Sequence, residues 1–138
     1  VPVLGRPIRV VIVDDQPLQR AGYRMVLESQ ADIEVVGEAG DGAQALGIVR
    51  RVETDVVLMD IQMPRVNGLD AAARVATDAQ VQELVGRPPR VVLLTAVDLD
   101  DYLPAAASAG VFAVLFKDTE PELLLGTVRD AAASDGQG

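Results

Sequence analysis

A chain of 138 residues, 49% hydrophobic and 24% charged, is sized for one compact globular domain rather than two ordinary ones or a disordered segment. Cys and His are both absent, which removes disulfides, thiolate and imidazole metal ligands and the commonest general base. A net charge of -9 with two Tyr, two Phe and no Trp lacks the basic, stacking footprint of a nucleic-acid surface, and no apolar run approaches the roughly 20 residues of a membrane span or forms a signal peptide.

In chain order, residues 1–6 read as a flexible leader. Ile8 to Val13 is β-branched apart from Arg9 and predicts a buried strand that ends in Asp14-Asp15. Pro17 suits the first turn of a helix, with Asp15 as its expected N-cap. Leu18, Ala21, Gly22, Met25 and Val26 recur at helical spacing and predict the apolar face of that helix, to about Ser29. Ile33 to Val36 predicts a second strand. Asp41-Gly42 turns into a helix carrying Ala45, Leu46, Val49 and Val52 on one face. Val56 to Asp60, bounded by Asp55 and Pro64, has the unbroken apolar run of a strand buried on both faces. Asn67-Gly68 leads to an Ala-rich helix expected over Leu69 to Val85, stopped by Gly86-Arg87-Pro88-Pro89. Val91 to Leu94 predicts strand four. Asp101 is the expected cap of a short helix with Pro104 in its first turn, ended by Gly110. Val111 to Phe116 predicts strand five, and Thr119 to Glu122 has the spacing of a capping box for a last helix. A single domain is expected over 7–133, and 134–138 begin a polar linker.

Strands alternating with helices predict an α/β doubly wound parallel sheet, whose functional crevice lies beyond the C-terminal strand ends. The residues at those ends are Asp14 and Asp15, Asp60, Thr95 and Lys117. Taken singly, each has an ordinary explanation: a helix cap, a turn former, a strand-end hydroxyl, a solvated surface charge. Their arrival together at one rim is what defines a site. Three carboxylates with no His nearby stay ionised together only around a cation, and oxygen ligands select a hard one, Mg²⁺, with Mn²⁺ as a substitute. Such a site beside a Lys and a hydroxyl is equipped for phosphoryl transfer, with Asp60 as the nucleophile.

Four stretches carry a resemblance: Val13-Asp14-Asp15-Gln16, Leu58-Met59-Asp60-Ile61-Gln62-Met63-Pro64 with Asn67-Gly68-Leu69-Asp70, Leu93-Leu94-Thr95-Ala96, and Leu115-Phe116-Lys117-Asp118. Together they resemble the receiver domains of two-component response regulators, and Ile33 to Ala39 with Lys117-Asp118-Thr119 is similar to the NarL/FixJ subfamily, which carries a LuxR-type output. The resemblance implies a flavodoxin-like (βα)5 sheet of order 2-1-3-4-5. It implies Mg²⁺ held by Asp14, Asp15, Asp60 and the Gln62 backbone carbonyl, and Asp60 as the acceptor of phosphoryl from a sensor histidine kinase. Thr95 and Lys117 would bind the phosphoryl oxygens, and the small Ala96 would leave room for them. It further implies a cytoplasmic phosphoprotein that is not an enzyme, though it assists its own phosphorylation and dephosphorylation. Homodimerisation on phosphorylation would control transcription, with no membrane partner and DNA bound only by a further, helix-turn-helix domain after the linker.

Two departures stand out. Val114 occupies the position of the aromatic whose rotation normally follows the Thr, with Phe112 and Phe116 two residues to either side; Asp118 stands where many receivers carry Pro after the Lys. Three other readings compete. A degenerate receiver would act as a phosphorylation-independent dimerisation or ligand-sensing module, supported by Val114. An aspartyl phosphatase would need an acid two residues after Asp60, where Gln62 stands. A flavodoxin-like cofactor domain would need a phosphate-cradling loop after strand one, which Asp14 to Pro17 does not supply.

Overall fold

The computed structural model describes residues 6–63, 68–78, 88–96 and 99–134. Five strands, β1 (Ile8–Val13), β2 (Ile33–Ala39), β3 (Val56–Asp60), β4 (Arg90–Thr95) and β5 (Ala113–Phe116), form one parallel sheet in the order β2-β1-β3-β4-β5. The described helices are α1 (Pro17–Glu28), α2 (Gly42–Val49), α3 (Gly68–Thr77), α4 (Leu99–Ser108) and α5 (Pro121–Ala133). None is long and apolar enough to cross a membrane.

The period of two along a strand divides the core into two layers. Ile8, Val10 and Ile12 of β1 face a cluster with Tyr23 and Leu27 of α1 and Leu124, Val128 and Ala131 of α5. Val11 and Val13 face the other way, onto Ala45 and Val49 of α2, Ala71, Ala72 and Val75 of α3 and Ala106 of α4. Every residue of β3 is buried, as expected for the central strand of a sheet covered on both faces. Each buried Val or Leu contributes about 1.5–3 kcal/mol of transfer free energy, so β1, β3 and β4, almost wholly buried, hold their strand ends firmly.

At the opposite end of the sheet from the acids, Asp55 is buried and accepts from the Arg6 guanidinium at 2.9 and 3.2 Å and from the Arg9 backbone N–H at 2.9 Å. This ties the start of β1 to the start of β3 and includes Arg6 in the fold. Residues 1–5 and the tail 135–138 lie outside the described residues.

Several local expectations change. Most of the apolar face expected on α1 is turned outward: Leu18 is 87% exposed and Met25 75%, whereas Val26 packs against the core beside the buried Tyr23 and Leu27. Both stripes have helical spacing, and contacts across to β2 select between them, with Arg20 donating to Glu38 at 3.1 Å and Arg24 pairing with the same carboxylate. Gln16, rather than Asp15, is the α1 cap residue, and its side chain makes no cap bond. The last helix likewise starts after Glu120, not Thr119, with Pro121 at its first position and no side-chain cap. Asp41 does cap α2, accepting from Gln44 N–H at 2.8 Å.

β2 is longer than expected and reaches Ala39, while β5 begins only at Ala113. α3 stops at Thr77, whose hydroxyl donates back to the Ala73 carbonyl at 2.9 Å, and Asp78 lies beyond it, paired with Arg50. The rest of the helix expected to Val85 falls outside the described residues, as do Pro64, Asn67 and the Gly86-Arg87 turn. α4 starts at Leu99, so Asp101 is in its first turn rather than at its cap, where the positive helix end favours an acid, and Pro104 is inside the helix. Gly110 ends the α4 segment with φ 79°, a left-handed conformation that a side chain would disfavour.

Candidate functional site: an acidic cluster at the strand ends

The parallel sheet presents the ends of β1, β3, β4 and β5 at one edge, and the polar strand-end residues meet there. Carboxylate oxygens of Asp14, Asp15 and Asp60 all lie within 4.8 Å of one another. Asp14 and Asp60 are both 1% exposed, while Asp15 is open to solvent. The site therefore has two buried acids at its floor and one at its mouth.

Each buried carboxylate is held in a defined way. Asp60 Oδ1 accepts from the Gln62 backbone N–H at 3.0 Å, and Oδ2 accepts from the Lys117 ammonium at 2.7 Å. Asp14 Oδ1 accepts from the Gln16 backbone N–H at 2.9 Å. Asp14 Oδ2 has no hydrogen-bond partner, and the Lys117 ammonium is 4.0 Å from it. Burial pushes the Asp14 carboxyl above the usual carboxylate range, and the neighbouring Asp60 and Asp15 charges add to the rise; the Gln16 N–H and Lys117 oppose it. A buried, partnerless carboxylate oxygen beside two further acids is what a hard cation satisfies, so these residues fit a divalent metal bound through oxygen.

Thr95 ends β4 fully buried, and its carbonyl accepts from the Lys117 N–H at 2.8 Å, fixing the relative height of the hydroxyl and the ammonium. Ala96 follows at the exposed rim. Gln62 is exposed and donates through its carboxamide to Thr95 Oγ1 at 3.2 Å and to the Tyr102 hydroxyl at 3.3 Å. Val114 is buried in the layer beneath α4, away from this rim. Tyr102 is the participant that sequence reasoning missed: it lies in α4, not at a strand end, and only the fold brings α4 over Gln62.

Backbone packing fixes the strand end from the side of α3. The Gly68 N–H donates to the Ile61 carbonyl at 3.0 Å, and a Cβ at Gly68 would overlap the Asp60 carbonyl oxygen and lie 2.8 Å from the Ile61 Cα. The start of α3 is therefore held directly against the strand end that carries Asp60.

Residues 10–129 match the family model of the response regulator receiver domain. The chain is 39% identical over 130 residues to the transcriptional regulatory protein YxjL of Bacillus subtilis, covering 93% of this chain and 56% of that protein. It is 39% identical over 126 residues to the nitrate/nitrite response regulator NarP of Escherichia coli, covering 91% and 55% respectively. Among solved structures it is similar to the signal receiver domain of NarL from Mycobacterium tuberculosis, with TM-score 0.79, 34% identity and 92% and 97% of the two chains covered. The response regulator domain of CheB from Thermotoga maritima matches with TM-score 0.81 at 29% identity, covering 94% and 99%. The chain belongs to the response regulator receiver domain family, with relatives among the NarL-type transcriptional regulators. It spans about half the length of the YxjL and NarP proteins.

Proposed function

We propose that the chain is the phospho-accepting receiver of a transcriptional response regulator, with Asp60 as the acceptor. The observation that carries this reading is the cluster itself: three carboxylates within 4.8 Å, one buried oxygen without a partner, and Lys117 on Asp60 at 2.7 Å. Asp14, Asp15, Asp60 and the Gln62 backbone carbonyl would hold Mg²⁺, or Mn²⁺ in its place, which when bound supplies charge neutralisation for a transferring phosphoryl group.

In the transfer, an Asp60 oxygen attacks the phosphorus of a sensor-kinase phosphohistidine. The P–N bond breaks, its electron pair leaves with the imidazole, which takes up a proton, and an acyl phosphate remains on Asp60. Both Asp60 oxygens have donors beforehand, so one must yield. Lys117 is the donor on a flexible side chain, and it moves from the carboxylate to a phosphoryl oxygen while the Gln62 backbone N–H stays. Thr95 donates its hydroxyl to another of those oxygens, and Ala96 leaves the space for them. These groups position the phosphoryl and its hydrolytic water, and so make the receiver assist its own phosphorylation and dephosphorylation without being a turnover enzyme.

The relatives that it matches are longer transcriptional regulators, of which the match covers 56% and 55%. A helix-turn-helix domain following residues 134–138 would supply the DNA contact that a chain of net charge -9 lacks, and a phosphorylation-dependent homodimer would present two such domains to DNA in the cytoplasm. Incubation with acetyl phosphate and Mg²⁺ should add one phosphoryl mass to the chain and none to Asp60→Asn. No mass gain at saturating donor and metal would sink this reading.

A further inference from the structure

Val114 leaves open how the state of Asp60 is passed on, since a Val has no ring to rotate toward Thr95. The structure places a ring elsewhere. Tyr102 stands in the second turn of α4, half-buried, and packs against the cluster that contains Val114, Leu93 and Ala106. Its hydroxyl accepts from the Gln62 carboxamide nitrogen, and the same nitrogen donates to Thr95 Oγ1.

A primary amide nitrogen carries two hydrogens, so one Gln62 side chain can serve both hydroxyls at once. Accepting in this way leaves each hydroxyl its own proton to donate. Gln62 is also joined to the acceptor through its backbone, whose N–H donates to Asp60 Oδ1. One residue therefore touches the acceptor carboxylate, the Thr95 hydroxyl and the α4 phenol.

We propose that Tyr102, linked to Thr95 through the Gln62 carboxamide, is the aromatic that carries the state of Asp60 to α4, in the role that a ring at position 114 would otherwise fill. This rests on Asp60 being a phosphoacceptor. A phosphoryl group on Asp60 draws the Thr95 hydroxyl toward its oxygens. The Gln62 to Thr95 contact is already 3.2 Å, near the long end for a hydrogen bond, so a small displacement breaks it. The carboxamide then loses one of its two anchors, and the 3.3 Å bond to Tyr102 is released with it. α4 loses its polar tether to the site while its apolar underside stays on the sheet.

The chain is suited to a direct test because it has no Trp and only two Tyr. Tyr23 has a buried hydroxyl with no hydrogen-bond partner, so Tyr23→Phe removes nothing that holds the fold and leaves Tyr102 as the only emitter of tyrosine fluorescence. In that background, intact mass reports phosphorylation of Asp60 by acetyl phosphate and Mg²⁺, and acrylamide quenching reports release of Tyr102. Quenching should rise together with the mass gain, and neither should change in Asp60→Asn. Compared at equal mass gain, Thr95→Val should lose the quenching response and Thr95→Ser should restore it, a distinction that a merely structural role for position 95 would not produce.

Without any donor, Gln62→Ala should already show the raised quenching and should not respond further to phosphorylation. Mass gain with unchanged Tyr102 quenching would overturn the relay while leaving the phosphoacceptor reading intact. Equal quenching of Gln62→Ala and its parent before phosphorylation would overturn it whatever Asp60 does. Absence of mass gain in the parent would instead remove the phosphoacceptor reading and the relay with it.

Discussion

The Lys117 ammonium lies 2.7 Å from Asp60 Oδ2 and 4.0 Å from Asp14 Oδ2, making it the cation that spans both buried acids. Truncating it in Lys117→Ala should destabilise the metal-free protein by about 2 kcal/mol, because two buried carboxylates then face each other uncompensated. Urea unfolding in EDTA measures this. Mg²⁺ should recover part of the loss, and Mg²⁺ titration of the variant should show tighter binding than wild type, since a competing positive charge has gone.

Asp14 gives the opposite sign. Its carboxyl is raised above the usual range, so the folded protein holds the proton more strongly than the unfolded chain does. The penalty is absent below the unfolded carboxylate pKa and develops as pH rises through the higher folded value. Asp14→Asn should therefore stabilise the metal-free protein at pH 7 by about 1 kcal/mol, the low end for relieving a buried group without a partner. The gain should disappear as pH falls toward the unfolded carboxylate pKa. Thermal unfolding across that range, with and without Mg²⁺, checks both parts: Mg²⁺ should raise the wild-type Tm much more than that of the variant.

Gly68 tests the link between backbone packing and the site. Gly68→Ala should cost about 2 kcal/mol, because the added methyl meets backbone atoms of Asp60 and Ile61, which cannot rotate away as a side chain could. Phosphorylation by acetyl phosphate should slow along with it. Gly22→Ala is the control: a Cβ there has nothing within 4 Å, and a helix gains from Ala, so its stability should rise slightly.

Far from the site, Arg129 of α5 donates to Asp32 Oδ1 at 2.9 Å and Oδ2 at 2.8 Å and to Gln30 at 2.9 Å, joining the last helix to the turn before β2. That guanidinium holds the Asp32 carboxyl below its usual range. A depressed carboxylate adds stability that is present above its unfolded pKa and is lost as pH falls through the folded one. Both side chains are partly solvated, so Asp32→Asn should cost only about 0.5 kcal/mol at pH 7, less in high salt. Chemical denaturation at two ionic strengths and at acid pH measures it.

Strand identity is legible because a two-sided parallel sheet requires unbroken apolar runs, and Val10 to Val13, Val56 to Met59 and Val91 to Leu94 are such runs. Helix faces are less so. On α1 the spacing of Leu18, Ala21 and Met25 is as regular as that of Arg20, Tyr23 and Leu27, and periodicity alone cannot say which stripe meets the sheet. At Asp15 and Thr119 the helix begins one residue later than expected, with Pro17 and Pro121 in the first helical position that their fixed φ suits.

By itself, the sequence determined the parallel α/β architecture and the set of strand-end residues that meet in the site, Asp14, Asp15, Asp60, Thr95 and Lys117, because strand ends in such a sheet share one edge. Tertiary structure alone decided what each of them touches. It left Asp14 Oδ2 without a partner, set Lys117 on Asp60 and brought Tyr102 to the Gln62 carboxamide from a helix whose distance in sequence carries no such signal. Periodicity encodes which way a side chain faces along its own element, whereas these contacts depend on how two separate elements are laid against each other.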